Sequence, residues 1–299
     1  MRILRAGHLG MCFGVKDAIA LALEQPQPLT ILGELVHNET VLRDLRQRGI
    51  QIVQEAAAIK TGTVMITAHG ASEKAMARTR ERGLAVLEAT CPLVHVAHRA
   101  VRNLVRDGFH PVLIGKRDHV EVRGMTQDLA EFDVVLTEAE VNQLREHARI
   151  GIAAQTTQPI ERVRHLVDLI RRRFPHAEVR FVDTVCQPTK QRQEAAVELA
   201  RESDVVVVIG GAHSNNTQEL VRTCRGFCGR VHHVQVAADL QPGWFEEAET
   251  VGITAGTSTP EAVIAEVEAW LQNLARRQGK EDPAAAATPT EPAQQLKAA

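Results

Sequence analysis

Three cysteines, Cys12, Cys91 and Cys186, stand alone at separations of 79 and 95 residues, and each falls where an apolar, strand-like run gives way to a helix-like one. The lead-ins are Arg2-Ile-Leu-Arg-Ala-Gly7, Val86-Leu-Glu-Ala-Thr90 and Val179-Arg-Phe-Val-Asp-Thr-Val185, and the helical runs open at Gly14, Pro92 and Lys190. Pro92 suits a first helical turn, where a missing N–H leaves no bond unmade. A chain that repeats this joint three times is constrained to three similar α/β units. If the units face one centre, the three thiols meet there. Each thiol then feels the positive end of a helix macrodipole, which predicts a lowered pKa and a thiolate ready to ligate metal.

The repeat extends beyond the cysteines. Some 25 to 28 residues after each one, a second strand-like run ends in glycine and a polar, histidine-bearing loop: Leu29–Gly33 leads to His37-Asn38, Pro111–Gly115 to His119-Val-Glu121, and Val205–Gly210 to His213-Ser-Asn-Asn216. A third strand-like run ends in another polar turn: Val64–Ala68 before His69-Gly70, Ile150–Ala154 before Gln155-Thr156-Thr157, and Val251–Ala255 before Gly256-Thr257-Ser258. Nine strands are therefore expected, each followed by a polar loop. Parallel α/β units bind ligands beyond the carboxyl ends of their strands, so these loops are the expected site. Within the second loop of unit two, His119 and Glu121 alternate, and in an extended segment both would face the cavity.

Helical spacing supports crossover connections. Val41, Leu42 and Leu45 share one face of the run from Thr40 to Arg48, and Ile160, Val163, Leu166, Val167 and Ile170 share one face of a longer run. The units are expected at 1–89 with Cys12, 90–184 with Cys91 and 185–277 with Cys186. The Ala-, Pro- and Gln-rich stretch 278–299 has no apolar periodicity and reads as a disordered tail.

The 299 residues, 44% apolar, suffice for several small cores. A net charge of −2, no long Lys or Arg run and no tyrosine argue against a nucleic-acid partner. No charged-then-apolar leader precedes the first strand, and no apolar stretch approaches a membrane span, so a soluble, cytoplasmic protein without a membrane role is expected. Five cysteines in no disulfide-like pattern fit a reducing compartment.

Structural zinc usually draws ligands from closely spaced pairs, which three singletons from separate units do not provide. An iron–sulfur cluster fits better, because three thiolates on a four-iron cluster leave one iron open to substrate. The competing reading, three buried structural cysteines, is weakened by their equivalence in the repeat. Cys224 and Cys228, four residues apart without further ligands, read as structural, and His95 and His98 as packing residues beside Cys91. The Arg171-Arg-Arg173 run reads as a solvated helix end.

Nine short motifs, in order, carry a resemblance: Gly10-Met-Cys-Phe-Gly-Val-Lys-Asp-Ala-Ile19, Glu34-Leu-Val-His-Asn38, Ala68-His-Gly70, Ala89-Thr-Cys-Pro-Leu-Val94, His119-Val-Glu-Val122, Gln155-Thr-Thr157, Cys186 with Thr189 and Arg192-Gln193, Ser214-Asn-Asn216, and Ala255-Gly-Thr-Ser258-Thr-Pro260. From Met1 to about Leu274 the chain resembles the LytB family of 4-hydroxy-3-methylbut-2-enyl diphosphate reductases. The resemblance implies a cloverleaf of three α/β units around a 4Fe-4S cluster, seen as 3Fe-4S after oxidation, held by Cys12, Cys91 and Cys186. It implies a diphosphate among His37, His69, His119, Ser214, Asn216 and Ser258, with Glu121 as proton donor and Thr156 orienting the substrate hydroxyl or relaying the proton. It also implies isopentenyl and dimethylallyl diphosphate as products in the non-mevalonate isoprenoid pathway, and a ferredoxin or flavodoxin as reductant.

The chain departs from the family pattern at Val120 and Arg123, where Pro and Glu are usual, and at Ala154, His213 and Asn215. Arg123 reverses a charge close in sequence to the acid, and His213 and Asn215 alter the phosphate-binding turn. The remaining readings are a divergent cluster protein acting on another allylic diphosphate, an iron–sulfur hydro-lyase that needs no reductant, and a non-enzymatic redox sensor.

Overall fold

The computed structural model describes residues 1–279. Its elements run β1 (Arg2–Arg5), α1 (Phe13–Glu24), β2 (Leu29–Leu32), α2 (Glu39–Gln47), β3 (Gln51–Val53), β4 (Thr63–Ile66), α3 (Glu73–Glu81), β5 (Ala85–Glu88), α4 (Pro92–Arg106), β6 (His110–Ile114), α5 (Val120–Thr126), β7 (Asp133–Val135), α6 (Glu138–Val141), β8 (Arg149–Ala154), α7 (Ile160–Arg173), β9 (Glu178–Phe181), α8 (Gln187–Arg201), β10 (Val205–Ile209), α9 (Asn215–Arg225), β11 (Val231–Val234), β12 (Thr250–Ala255) and α10 (Glu261–Arg277). The expected tail, apart from Gln278 and Gly279, lies outside the described residues.

Three four-stranded, wholly parallel sheets result, with orders β3-β2-β4-β5, β7-β6-β8-β9 and β11-β10-β12-β1. Period-2 alternation of apolar residues feeds a core on either side of the central strands. Val205, Val207 and Ile209 pack with α10 residues such as Ile264 and Leu271, whereas Val206 and Val208 pack with Ala196 and Leu199 of α8 and Leu220 of α9. Val112 and Ile114 likewise face α7, and Leu113 faces α4. All five residues of β10 are fully buried, as a strand covered by helices on both faces must be. The two amphipathic stripes read from the sequence are the buried faces of α2 and α7.

Two features differ from the sequence expectation. Among the described residues there are twelve strands rather than nine, because each sheet carries one further edge strand, β3, β7 or β11. These are only three or four residues long and include polar positions, so no continuous apolar run marks them. Second, β1 does not join the sheet of residues 1–89. It pairs in parallel with β12, while α1 packs onto the first sheet through Val15, Ala18 and Ala22. The strands β5 and β9 each close one sheet and then lead into the helix of the next unit. β1 instead forms an edge of the third sheet beside β12 and so joins the first and third units.

Candidate active site

Each sheet changes winding direction between its two central strands, and loops beyond such a switch point form a crevice. The switch lies between β2 and β4, between β6 and β8, and between β10 and β12. The loops after these six strands carry His37 and His69, His119 with Glu121 and Thr156, and Ser214 with Asn216 and Ser258. The outer strands β5, β9 and β1 run on to Cys91, Cys186 and Cys12. All eleven residues selected from sequence line a single cavity, which spans about 660 Å³ of space continuous with solvent.

The cysteines are the N-cap residues of α1, α4 and α8, with extended or near-extended backbone before each helix. Their thiols take no capping role. Gly14 allows α1 to approach α4: a Cβ there would lie 2.4 Å from Cys91 Sγ. Thr189 Oγ1 is 3.1 Å from Cys186 Sγ. Burial, not the helix dipole, dominates the thiol electrostatics. It raises the Cys91 pKa and pushes Cys186 up to about 11, against hydrogen bonds from the following helical turn that act the other way. The expectation of dipole-lowered pKa values therefore fails for these two protein-only thiols, because desolvation penalises the thiolate more than one helix end favours it.

On the polar side, His37 and His69 stack with ring centroids 4.2 Å apart, and His119 meets both edge-on at 5.2 and 5.5 Å. His37 Nδ1 lies 2.8 Å from Glu34 Oε2, which orients that ring. His119 Nδ1 accepts from Glu121 N at 3.2 Å, so the neutral ring carries its proton on Nε2. Burial first, and then repulsion from its neighbours, lowers His119 to about 3 and holds His69 well below the usual histidine range. His69 Nδ1 and Asn216 Nδ2 are buried without a partner. Asn216 Oδ1 is occupied by Thr257 N at 2.9 Å, which leaves the amide N–H groups as donors. Buried polar groups are normally paired, so the Asn216 N–H groups call for an acceptor and His69 Nδ1 for a partner from a ligand. Ser214 caps α9 by accepting from Thr217 N, and Ser258 Oγ donates to His37 O at 3.3 Å across the units.

Glu121 is 1% exposed. Burial pushes its carboxyl up to about 7, in spite of the hydrogen bond that Thr156 N donates to Oε1 at 2.7 Å. Thr156 is itself buried, and the pair links α5 to the turn after β8. The segment is not the extended loop expected for His119 and Glu121. His119 is the N-cap of α5, and the two are brought together by that cap rather than by strand alternation.

Arg123 is exposed on α5 and lines an adjoining outer cleft with Lys116, His213 and Arg222, while Glu121 lines the inner cavity. Asn215 does reach the cavity, and its amide donates to Thr157 Oγ1 at 3.0 Å, tying unit three to unit two. Cys224 and Cys228 lie in the core between α8, α9 and the third sheet, with thiols near the carbonyls of Ala196 and Ser203. His98 is half-buried against Gly70 and Gly124, and His95 faces Glu88. The sequence reading missed Glu219, 1% exposed, which joins Arg162 of α7 and Arg222 of α9 at 3.0 and 2.6 Å. An acidic residue on a helix gives no sign of burial until its partner unit is placed.

Three parallel-sheet units around a cavity lined by three thiols together with imidazoles, an amide and a buried carboxyl define an α/β protein with one composite polar site. The LytB protein family model matches residues 3–272. The 4-hydroxy-3-methylbut-2-enyl diphosphate reductase of Geotalea daltonii is 37% identical over 280 residues, covering 92% of this chain and 99% of that protein. The Aquifex aeolicus protein of the same name is 36% identical over 284 residues, with coverage of 92% and 98%. Among solved structures, an (E)-4-hydroxy-3-methyl-but-2-enyl diphosphate reductase, described as the terminal enzyme of the non-mevalonate pathway, aligns with a TM-score of 0.66 at 36% identity over 91% of this chain and all of that one. The corresponding Plasmodium falciparum reductase shares the fold, with a TM-score of 0.85 at 24% identity over 92% of this chain and 88% of its own. The chain belongs to the LytB family.

Proposed function

We infer that this protein is a reductive dehydroxylase that converts 4-hydroxy-3-methylbut-2-enyl diphosphate to isopentenyl and dimethylallyl diphosphate. The observation that carries the reading is the convergence in one cavity of three thiols, three imidazoles, unpartnered donors and one buried carboxyl, each from a strand end of a different part of the chain. The donor set fits a 4Fe-4S cluster. Three thiols open on one cavity, the other two cysteines lie in a core, and Gly14 leaves room beside Cys91 Sγ that any side chain would fill. When bound, such a cluster supplies electrons and a Lewis-acid metal beside the carbon–oxygen bond to be broken.

The rest falls to the protein's own groups. The diphosphate meets His119 Nε2–H, His69, the Asn216 amide and the serine hydroxyls, all in a setting of low dielectric where charge-assisted bonds are strong. Glu121 is a carboxyl about half protonated at neutral pH, and donation from Thr156 N to Oε1 leaves the proton on Oε2. It protonates the departing hydroxyl so that water leaves, and Thr156 orients that hydroxyl. Overall, one C–O bond breaks, two electrons enter, one proton leaves with the oxygen as water and one adds to either end of the allyl unit. A ferredoxin or flavodoxin is the source of the electrons. Anaerobic purification with iron and sulfide analysis tests the metal half of this reading. Serine at Cys12, Cys91 or Cys186 is expected to abolish the chromophore and the bound iron, and serine at Cys224 to leave both. Loss of iron from Cys224→Ser alone would refute the assignment.

A further inference from the structure

The three cysteine-headed helices are equivalent in position but not in charge. Six residues beyond Cys12 and Cys91 stand Ala18 and Ala97, both buried. Six residues beyond Cys186 stands Arg192, 7% exposed. Its Nη2 and Nε donate to Gly10 O at 2.6 and 3.1 Å, and its Nη1 donates to Pro188 O at 2.9 Å. Gly10 lies in the turn that delivers Cys12, held at φ +73° with Ile264 and Thr259 close behind it. Pro188 lies in the first turn of α8, two residues after Cys186. One guanidinium therefore bridges the supports of two thiols that come from distant parts of the chain.

Arginine stays charged in proteins, and a buried charge is normally matched by an opposite one. Among the described residues no carboxylate pairs with Arg192. The groups whose negative charge would favour its own are the Cys12 and Cys186 thiols, against burial as the larger, opposing effect. The arginine is thus placed where a negative group on those sulfurs would complete it. We propose that Arg192 is the countercharge of the cluster held by Cys12, Cys91 and Cys186 and raises its reduction potential, acting as a positioning residue rather than one that touches substrate. This rests on the iron–sulfur reading above. Each electron that enters makes the cluster more negative, so a fixed neighbouring cation favours the reduced state. Its hydrogen bonds to Gly10 and Pro188 keep that charge fixed.

The test is an anaerobic potentiometric titration of the iron-loaded protein, with iron content measured in parallel, for wild type, Arg192→Gln and Arg192→Lys. Gln removes the charge and keeps hydrogen-bonding capacity; Lys keeps the charge and loses the planar fork. The expected result is that Arg192→Gln lowers the reduced-to-oxidised ratio at a fixed solution potential about tenfold, a shift of about 59 mV to more negative values for one electron, while Arg192→Lys titrates close to wild type. If Gln fails to retain iron and Lys retains it at the wild-type potential, the charge is again the required property. An unchanged potential in iron-replete Arg192→Gln, equal shifts in both variants, or loss of iron from both would overturn the proposal in favour of a purely geometric clamp. Absence of iron from the wild type would instead remove the iron–sulfur reading itself.

Discussion

The proposed proton donor, Glu121, is a single buried carboxyl at the cavity wall. Its carboxyl is raised from 4.5 to about 7 by desolvation, with the Thr156 hydrogen bonds only partly offsetting it. An acid with this pKa is half protonated at neutral pH, near the optimum for delivering a proton there. Glu121→Gln keeps the shape and one oxygen acceptor but cannot deliver a proton, so turnover is expected to fall by roughly 10²–10⁴ with substrate still bound. In the wild type the rate should decline as pH rises through about 7, where the carboxyl loses its proton, and that limb should vanish from any residual activity of the variant. Because the folded carboxyl binds its proton more tightly than the unfolded one, stability also declines as pH rises between 4.5 and 7, by up to about 3 kcal/mol. Unfolding by urea at pH 5 and pH 8 should therefore show Glu121→Gln gaining on the wild type at the higher pH. Near-normal turnover in a cluster-replete variant would rule this acid out. The place of Glu121 at the cavity was legible from sequence because a carboxylate two residues after a loop histidine stood at a strand end. Its burial was not, since that depends on Thr156, 35 residues away, folding over it.

At the scale of elements, the joints between strand and helix carry the information. The cysteines were legible as helix starts because polar and apolar periodicities change there, and the three are indeed N-caps. The edge strands β3, β7 and β11 were illegible because their sheet neighbours, not their own residues, specify them. The His119 segment misled because a two-residue alternation is also compatible with a cap followed by a first helical turn. Close approach of α1 to Cys91 yields a direct prediction. Gly14→Ala places a methyl 2.4 Å from Cys91 Sγ and 3.1 Å from its Cβ, so α1 or the thiol must move. Alanine is the better helix former by up to about 1 kcal/mol, so any loss cannot come from helix propensity. The variant is expected to keep its circular-dichroism spectrum and to lose most of its iron. Gly62→Ala, with no atom within 4 Å of the added methyl, should keep its iron. Full iron occupancy in Gly14→Ala would show that the thiol is not held against α1.

The described residues form three sheets around one cavity, with β1 joining the first and third units. Pairing of β1 with β12 brings Cys12 to the cavity from the sheet that also supplies Ser214, Asn216 and Ser258. Contacts between units then fix the site: Ser258 Oγ to His37 O, Asn215 to Thr157, Arg162 to Glu219 and Arg192 to Gly10. Threefold repetition was visible in the sequence through the spacing of the strand ends. The exchange of β1 was not, because pairing between distant units is a property of the assembled units and leaves no local pattern. Among the described residues no helix is long and apolar enough to cross a membrane. The central claim is that this protein performs a reduction and not merely an elimination or a sensing role. Its most direct test is product analysis of anaerobic, iron-loaded protein given 4-hydroxy-3-methylbut-2-enyl diphosphate with and without a chemical reductant. Isopentenyl and dimethylallyl diphosphate should form together, two electrons consumed per substrate, and only when reductant is present; substrate loss without reductant, or none with it, would contradict the account.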